Sequence, residues 1–296
     1  MQERRSVLDF FTLIGLSLIW GSSYILIKYG LDVFSTRQIA VLRLGISALA
    51  LAPFAVTHLR RIEWRHLPRL FLVGLTGTAI PSFLFPIAQT RLSSSLTGML
   101  SSLTPLCTLL VAWLIFRNRP ARQQVVGIAV GLLGALLLAY FAPGGSASGE
   151  EATLAYAGLV LAACLCYGTS ANLVGVYFQN LPSLTITVVS FFLVGTPALV
   201  YALLFGAIPE TVVAAGPQGW RALGFVGILA VGSTVMASFV FFRLVQRTGA
   251  VFASTVSYLI PVVALLWGVL DGEAVAGGQI PAIAMVLVGV FISKRT

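Results

Sequence analysis

Ten runs of about twenty apolar residues, parted by short connections, leave this chain few ways to fold. They lie near residues 10–29, 37–57, 68–89, 93–116, 122–141, 153–177, 183–205, 220–242, 249–270 and 277–293. A hydrocarbon layer about 30 Å thick takes about 20 residues of helix. Composition points the same way: 58% of the residues are hydrophobic and 9% charged, and the mean hydropathy is +0.98, where a soluble domain carries roughly 25% charge. The expected fold is an all-α membrane protein of ten transmembrane helices, one polytopic bundle without a soluble domain.

Charge sidedness tests that count, because Lys and Arg gather on the cytoplasmic side of short loops. With both termini inside, the inner segments hold Arg4, Arg5, Arg60, Arg61, Arg65, Arg69, Arg117, Arg119, Arg122, Arg243, Arg247, Lys294 and Arg295, which is 13 of the 18 basic residues. Asp32, Glu150, Glu151, Glu210, Asp271 and Glu273 fall outside, against Glu3, Asp9 and Glu63 inside. The net charge of +9 therefore reports orientation in a lipid bilayer. No aromatic-interleaved basic patch of the kind that binds nucleic acid is present. The run after Arg4-Arg5 is longer than a signal-peptide core and no small-residue cleavage site follows, so it reads as the first span. Cys107, Cys164 and Cys166 all lie within spans and imply neither a disulfide framework nor a metal site. Nothing in the pattern calls for a cofactor.

The Gly/Ser-rich stretch APGGSASGEE, Ala142 to Glu151, divides the spans five and five. Sliding the chain by 156 residues sets Phe83 on Phe239, Phe85 on Phe241, Arg91 on Arg247, Ser101 on Ser257, Leu103 on Leu259 and Pro105 on Pro261. At an offset of 147, Trp20-Gly21-Ser22-Ser23 lies over Tyr167-Gly168-Thr169-Ser170. Two five-helix units are expected, residues 1–141 and 153–296, joined by an external linker at 142–152. Five is odd, so the second unit enters the membrane from the opposite side. Such inverted repeats are common in secondary transporters, whose substrate site lies near the midplane between them.

Pro105 and Pro261 fall mid-span, where proline lacks its N–H and obstructs the carbonyl four residues earlier, at about 3 kcal/mol in an ordinary helix. The carbonyls concerned are those of Ser101 and Ser257. Ser94, Thr97, Ser101, Thr104 and Thr108 give the fourth span one polar face. Two readings stay open, a cavity lined by polar groups and tight helix packing through small residues. Ser17, Gly21, Tyr24 and Lys28 share one face of the first span, with the cation at its outer end. Cys164, Gly168, Ala171 and Gly175 form a small-residue face on the sixth, with Asn172 one step aside. Trp20, Tyr24, Tyr167 and Tyr258 are candidate aromatic walls, although Trp20 serves equally as a packing residue and Lys28 as a snorkelling one. Arg43 falls about two turns into the second span, where a charge costs about 2.5 to 3.5 kcal/mol on the insertion scale, so it must face protein or water. No Asp or Glu lies deep in any span. His58 and His66 flank Glu63 in an Arg-rich inner loop and read as solvated loop residues rather than as a catalytic cluster.

Taken together, WGSSYILIK (Trp20 to Lys28), VLRLG around Arg43, SSLTP and SYLIP in spans four and nine, and Glu273 beyond the second proline resemble the EamA-type transporters of the drug/metabolite transporter superfamily. The likeness covers nearly the whole chain. It departs at Arg117, twelve residues past Pro105, where members of the family often have Glu. The resemblance implies a carrier of the bacterial inner membrane, usually an exporter, with alternating access around a central cavity and with spans five and ten peripheral. It implies substrates among amino acids, other metabolites, nucleosides and drugs.

The expected function is export of amino acids or related metabolites. Candidate substrate-binding residues are Trp20, Ser23, Tyr24, Lys28, Arg43, Ser101, Pro105, Tyr167, Asn172, Ser257, Tyr258 and Pro261. Lys28 or Arg43 would meet a substrate carboxylate. The rivals are a multidrug or nucleoside-type exporter of the same fold, a membrane enzyme and a non-transporting scaffold. The oligomeric state is left open, a monomer included.

Overall fold

The structure, a computed structural model, describes residues 7–118, 121–141, 150–273 and 277–293. Every regular element among them is helical. In chain order the long helices are α1 (Val7–Leu31), α2 (Thr36–Leu59), α3 (Trp64–Gln89), α4 (Ser94–Leu114), α5 (Arg122–Tyr140), α6 (Leu154–Tyr177), α7 (Ser183–Phe205), α8 (Pro217–Thr248), α9 (Ala250–Leu270) and α10 (Gln279–Ser293). All but α5 and α10 are long and apolar enough to cross a membrane, eight helices among the described residues. The protein is a multi-pass membrane protein. Most of the expected linker, residues 142–149, lies outside the described residues.

Local chemistry sets several helix ends. Ser35 caps α2: its hydroxyl accepts from the Gln38 N–H while the Gln38 side chain accepts from the Ser35 N–H, a reciprocal capping box. Ser93 caps α4 by accepting from the Leu96 N–H.

Five helices are interrupted at mid-depth. α1 loses regularity at Ser22, between Val7–Gly21 and Ser23–Leu31. α3 and α8 each loosen into π-helix, at Leu75–Ala79 and Leu229–Met236. α4 and α9 each tighten into a 3-10 turn, at Ser101–Leu103 and Thr255–Tyr258. The two prolines explain the tightened pair. Pro105 and Pro261 sit in the first turn of the α-helical segments that follow, Thr104–Leu114 and Ile260–Leu270, where a missing N–H leaves no bond unmade. The Ser101 carbonyl, expected to be freed, accepts from the Thr104 N–H and from the Thr104 hydroxyl at 2.7 Å.

Packing is closest where side chains vanish. A Cβ on Gly168 of α6 would stand 2.8 Å from the Thr108 backbone nitrogen of α4, so only glycine lets these helices meet there. Asn172, one turn on, donates to the Thr108 carbonyl at 2.9 Å and to the Gly168 carbonyl at 2.8 Å. α5 and α10 form a pair of their own, with Gly289 against Gly131 and Gly127. Long apolar side chains such as Leu133, Leu136, Val288 and Phe291 face outward from that pair.

Candidate functional site

The five interruptions surround one cavity lined from α1, α2, α3, α4, α6, α8 and α9. Its wall is aromatic on several sides. The Trp20 and Phe241 rings meet at 5.1 Å between centroids, Tyr24 and Phe85 at 5.6 Å edge to face, and Phe85 and Tyr167 stack at 5.9 Å. Ser23, Ser101, Thr104, Thr108 and Ser257 also line the cavity, the first four with their hydroxyls bonded to backbone carbonyls of their own helices.

Arg43 is the cation of this wall, 7% exposed. Its Nε donates to the Thr234 hydroxyl at 2.7 Å, and that hydroxyl donates in turn to the Leu229 carbonyl five residues back, across the π-helix. The Tyr167 phenol stands within reach of the guanidinium. Among the described residues no carboxylate pairs with Arg43. A guanidinium carries five N–H donors, and the partners named here, Thr234 and Tyr167, are both neutral.

Lys28 has the opposite fate. It stands at the end of α1 with Nζ 2.5 Å from Asp271 Oδ2 and 3.1 Å from Glu273 Oε1. Tyr29 donates its phenolic proton to Asp271 Oδ1 at 2.5 Å, Ser94 donates to Glu273 Oε1 at 2.7 Å, and the Ser95 hydroxyl donates to Glu273 Oε2. This cluster ties α1 and the start of α4 to the loop after α9. Hydrogen bonds from Lys28 and Tyr29 hold the Asp271 carboxyl below the usual aspartate range. Burial pushes the Glu273 carboxyl up, but bonds from Ser95, Ser94 and Lys28 outweigh it and the net direction is down. At the other end of the bundle Asp9, buried near the start of α1, pairs with Arg247 of α8 at 3.4 Å.

Of the expected site residues, Trp20, Ser23, Tyr24, Arg43, Ser101, Tyr167 and Ser257 line the cavity together. Lys28, Pro105, Asn172, Tyr258 and Pro261 are not in its wall. Lys28 is neutralised at the bundle end, and Asn172 is spent on two backbone carbonyls. The prolines set the 3-10 turns rather than face the space. Tyr258 follows Ser257 in such a turn, where successive residues point about 120° apart. It packs with Met99 and Ala282 instead. Trp20 combines both expected roles, since it lines the space and donates from Nε1 to the Ser233 carbonyl at 2.8 Å.

Thr78, Thr234 and Ser238 were not expected, yet all three line the cavity. The signal was in the repeat: the offset of 156 that sets Phe85 on Phe241 also sets Thr78 on Thr234 and Ser82 on Ser238.

A helical membrane bundle broken at mid-depth around a polar and aromatic cavity has the architecture of a secondary carrier. Comparison with known proteins gives the family. The model of the EamA-like transporter family matches residues 9–140 and 154–294, and the chain belongs to that family of membrane transporters, as its sequence motifs led us to expect. An uncharacterized transporter of Archaeoglobus fulgidus is 24% identical over 93% of this chain and 95% of its own. The uncharacterized inner membrane transporter YedA of Escherichia coli K12 is 25% identical over 99% and 92%. A probable terminal-alkyne amino-acid exporter of Streptantibioticus cattleyicolor is 28% identical over 50% and 48%. One crystal structure superposes with a TM-score of 0.71, covering 98% of this chain and 97% of the other at 17% identity, a likeness of fold.

Proposed function

We propose that the protein exports amino acids or closely related small metabolites across a bacterial inner membrane. The observation that carries this reading is Arg43, a buried guanidinium in an aromatic-walled cavity with no carboxylate partner among the described residues. A substrate carboxylate supplies the missing charge, and the rings of Trp20, Tyr24, Tyr167 and Phe241 take the apolar part of the same molecule. A cavity wall without acids among the described residues suits a substrate that brings its own anion. The name of the Streptantibioticus relative agrees with this substrate class.

The reading includes an architecture. Ten transmembrane helices form two inverted five-helix repeats, residues 1–141 and 153–296 with a linker at 142–152, and both termini are cytoplasmic. Repeat-matched interruptions support it, because moving Leu75 and Ser101 by 156 residues lands within the second π-helix and the second 3-10 turn. Rocking of one repeat against the other then exposes the cavity to each side in turn.

Counterflow in proteoliposomes tests the substrate class, with aromatic and aliphatic amino acids, nucleosides and sugars each assayed with and without a pH gradient. Accumulation of labelled amino acid without any gradient is expected. Counterflow of nucleosides or sugars alone would remove the carboxylate from the account.

A further inference from the structure

We infer that Thr78 is a substrate contact, the hydroxyl that accepts a hydrogen bond from the α-ammonium of the amino acid whose carboxylate Arg43 holds. The inference rests on the substrate class proposed above and adds to it the second polar pole of the site.

Threonines inside helices ordinarily return their hydroxyl to a carbonyl three or four residues back. Five of the buried ones follow that habit: Thr97, Thr104, Thr108, Thr187 and Thr255 donate in this way at 2.7 to 3.0 Å, while Thr185 pairs with His58 and Thr234 with Arg43 and Leu229. Thr78 does neither. It is 2% exposed, lines the cavity, and its Oγ1 has no hydrogen-bond partner among the described residues. Ser82, one turn along α3 and fully buried, is likewise without a partner. Leaving a buried hydroxyl unmatched is unfavourable, and of the two it is Thr78 that borders the cavity, where a ligand can supply the missing donor.

Thr78 sits in the π-helix Leu75–Ala79, where the Ile80 N–H reaches back five residues to Leu75. Such a bulge rotates its residues off the regular register and recurs at functional sites. The repeat-matched Thr234 sits in the second π-helix, but its hydroxyl is committed to Arg43 and Leu229. The two threonines therefore divide the work. Thr234 orients the guanidinium, and Thr78 is left for the ligand. Among the described residues no carboxylate lines the cavity, so an ammonium entering it depends on neutral acceptors, and Thr78 is one that no donor among those residues has claimed.

The test compares Thr78→Val, nearly isosteric but without the hydroxyl, with wild type and Thr78→Ser, using competing amino acids and their des-amino acids in counterflow. Phenylalanine and 3-phenylpropionate form the first pair. Thr78→Val should raise the half-inhibitory concentration of the amino acid about tenfold, the size of one hydrogen bond to a charged group, and leave the des-amino acid within twofold. Thr78→Ser should restore the wild-type ratio. Thermal unfolding without substrate should be unchanged or raised in Thr78→Val, since the variant removes an unmatched group. An equal effect on both competitors, or none on either, would overturn the role of Thr78 alone. Absence of any amino-acid counterflow in the wild type would overturn the substrate class and, with it, this contact.

Discussion

Arg43 and Asn172 are both buried polar residues on helices that border the cavity, and what they bond to separates them. Asn172 has given its amide to the Thr108 and Gly168 carbonyls, so it fastens α6 to α4. Asn172→Ala is expected to lower stability by about 1 kcal/mol through loss of the hydrogen bond that joins the two helices. Its transport KM should stay at the wild-type value, which thermal unfolding and counterflow on the same preparation would check. Arg43 keeps donors to spare. Arg43→Gln should reduce uptake about 10- to 100-fold, as loss of a hydrogen bond between charged groups does. Arg43→Lys should recover little of it, because an ammonium cannot reproduce the planar fork that meets a carboxylate and Thr234 together. Undiminished transport by both variants would remove Arg43 from the site.

Among the elements, the junction of Lys28 with Asp271 and Glu273 joins α1 and α4 to the loop after α9 at one end of the bundle. Both carboxyls titrate lower in the folded protein than in the unfolded chain. Their contribution is therefore complete above the ordinary carboxylate range, about pH 4, and is lost as pH falls through the lowered values. Stability should accordingly show no step from this junction between about pH 8 and 5.5. A step in that window that disappears in Glu273→Gln would contradict the assignment. Lys28 is 39% exposed on its side chain, so solvent screens its attraction, and Lys28→Ala should cost at most about 1 kcal/mol. This junction was hidden from sequence, because its members lie 243 and 245 residues apart and no periodicity links them. The breaks at Pro105 and Pro261 were legible as candidates, since proline inside a helix removes a hydrogen bond and crowds the preceding turn. But Pro53, Pro86 and Pro197 sit inside α-helical segments that stay unbroken, so proline alone does not decide a break. The π-helices were not legible, because LTGTA and LAVGSTVM differ little from ordinary membrane helix and the extra residue per turn is set by packing.

For the whole molecule, the apolar runs made the helical bundle legible, and the charge of Arg43 made one pole of the cavity legible, because the cost of an unaided charge in lipid does not depend on the fold. Which face each neighbour presents depends on the 3-10 and π-helical turns, and this is why Ser257 reached the cavity while Tyr258 did not. The central claim is that this one cavity opens to each side of the membrane in turn. It is tested most directly by labelling a single cysteine at Ser257, in a chain whose Cys107, Cys164 and Cys166 are replaced, with a membrane-impermeant thiol reagent applied from either side of oriented vesicles. We expect modification from both sides, slowed in each case by transported amino acid. A cysteine that reacts from neither side, or that reacts from one side only and is indifferent to substrate, would contradict alternating access through this cavity.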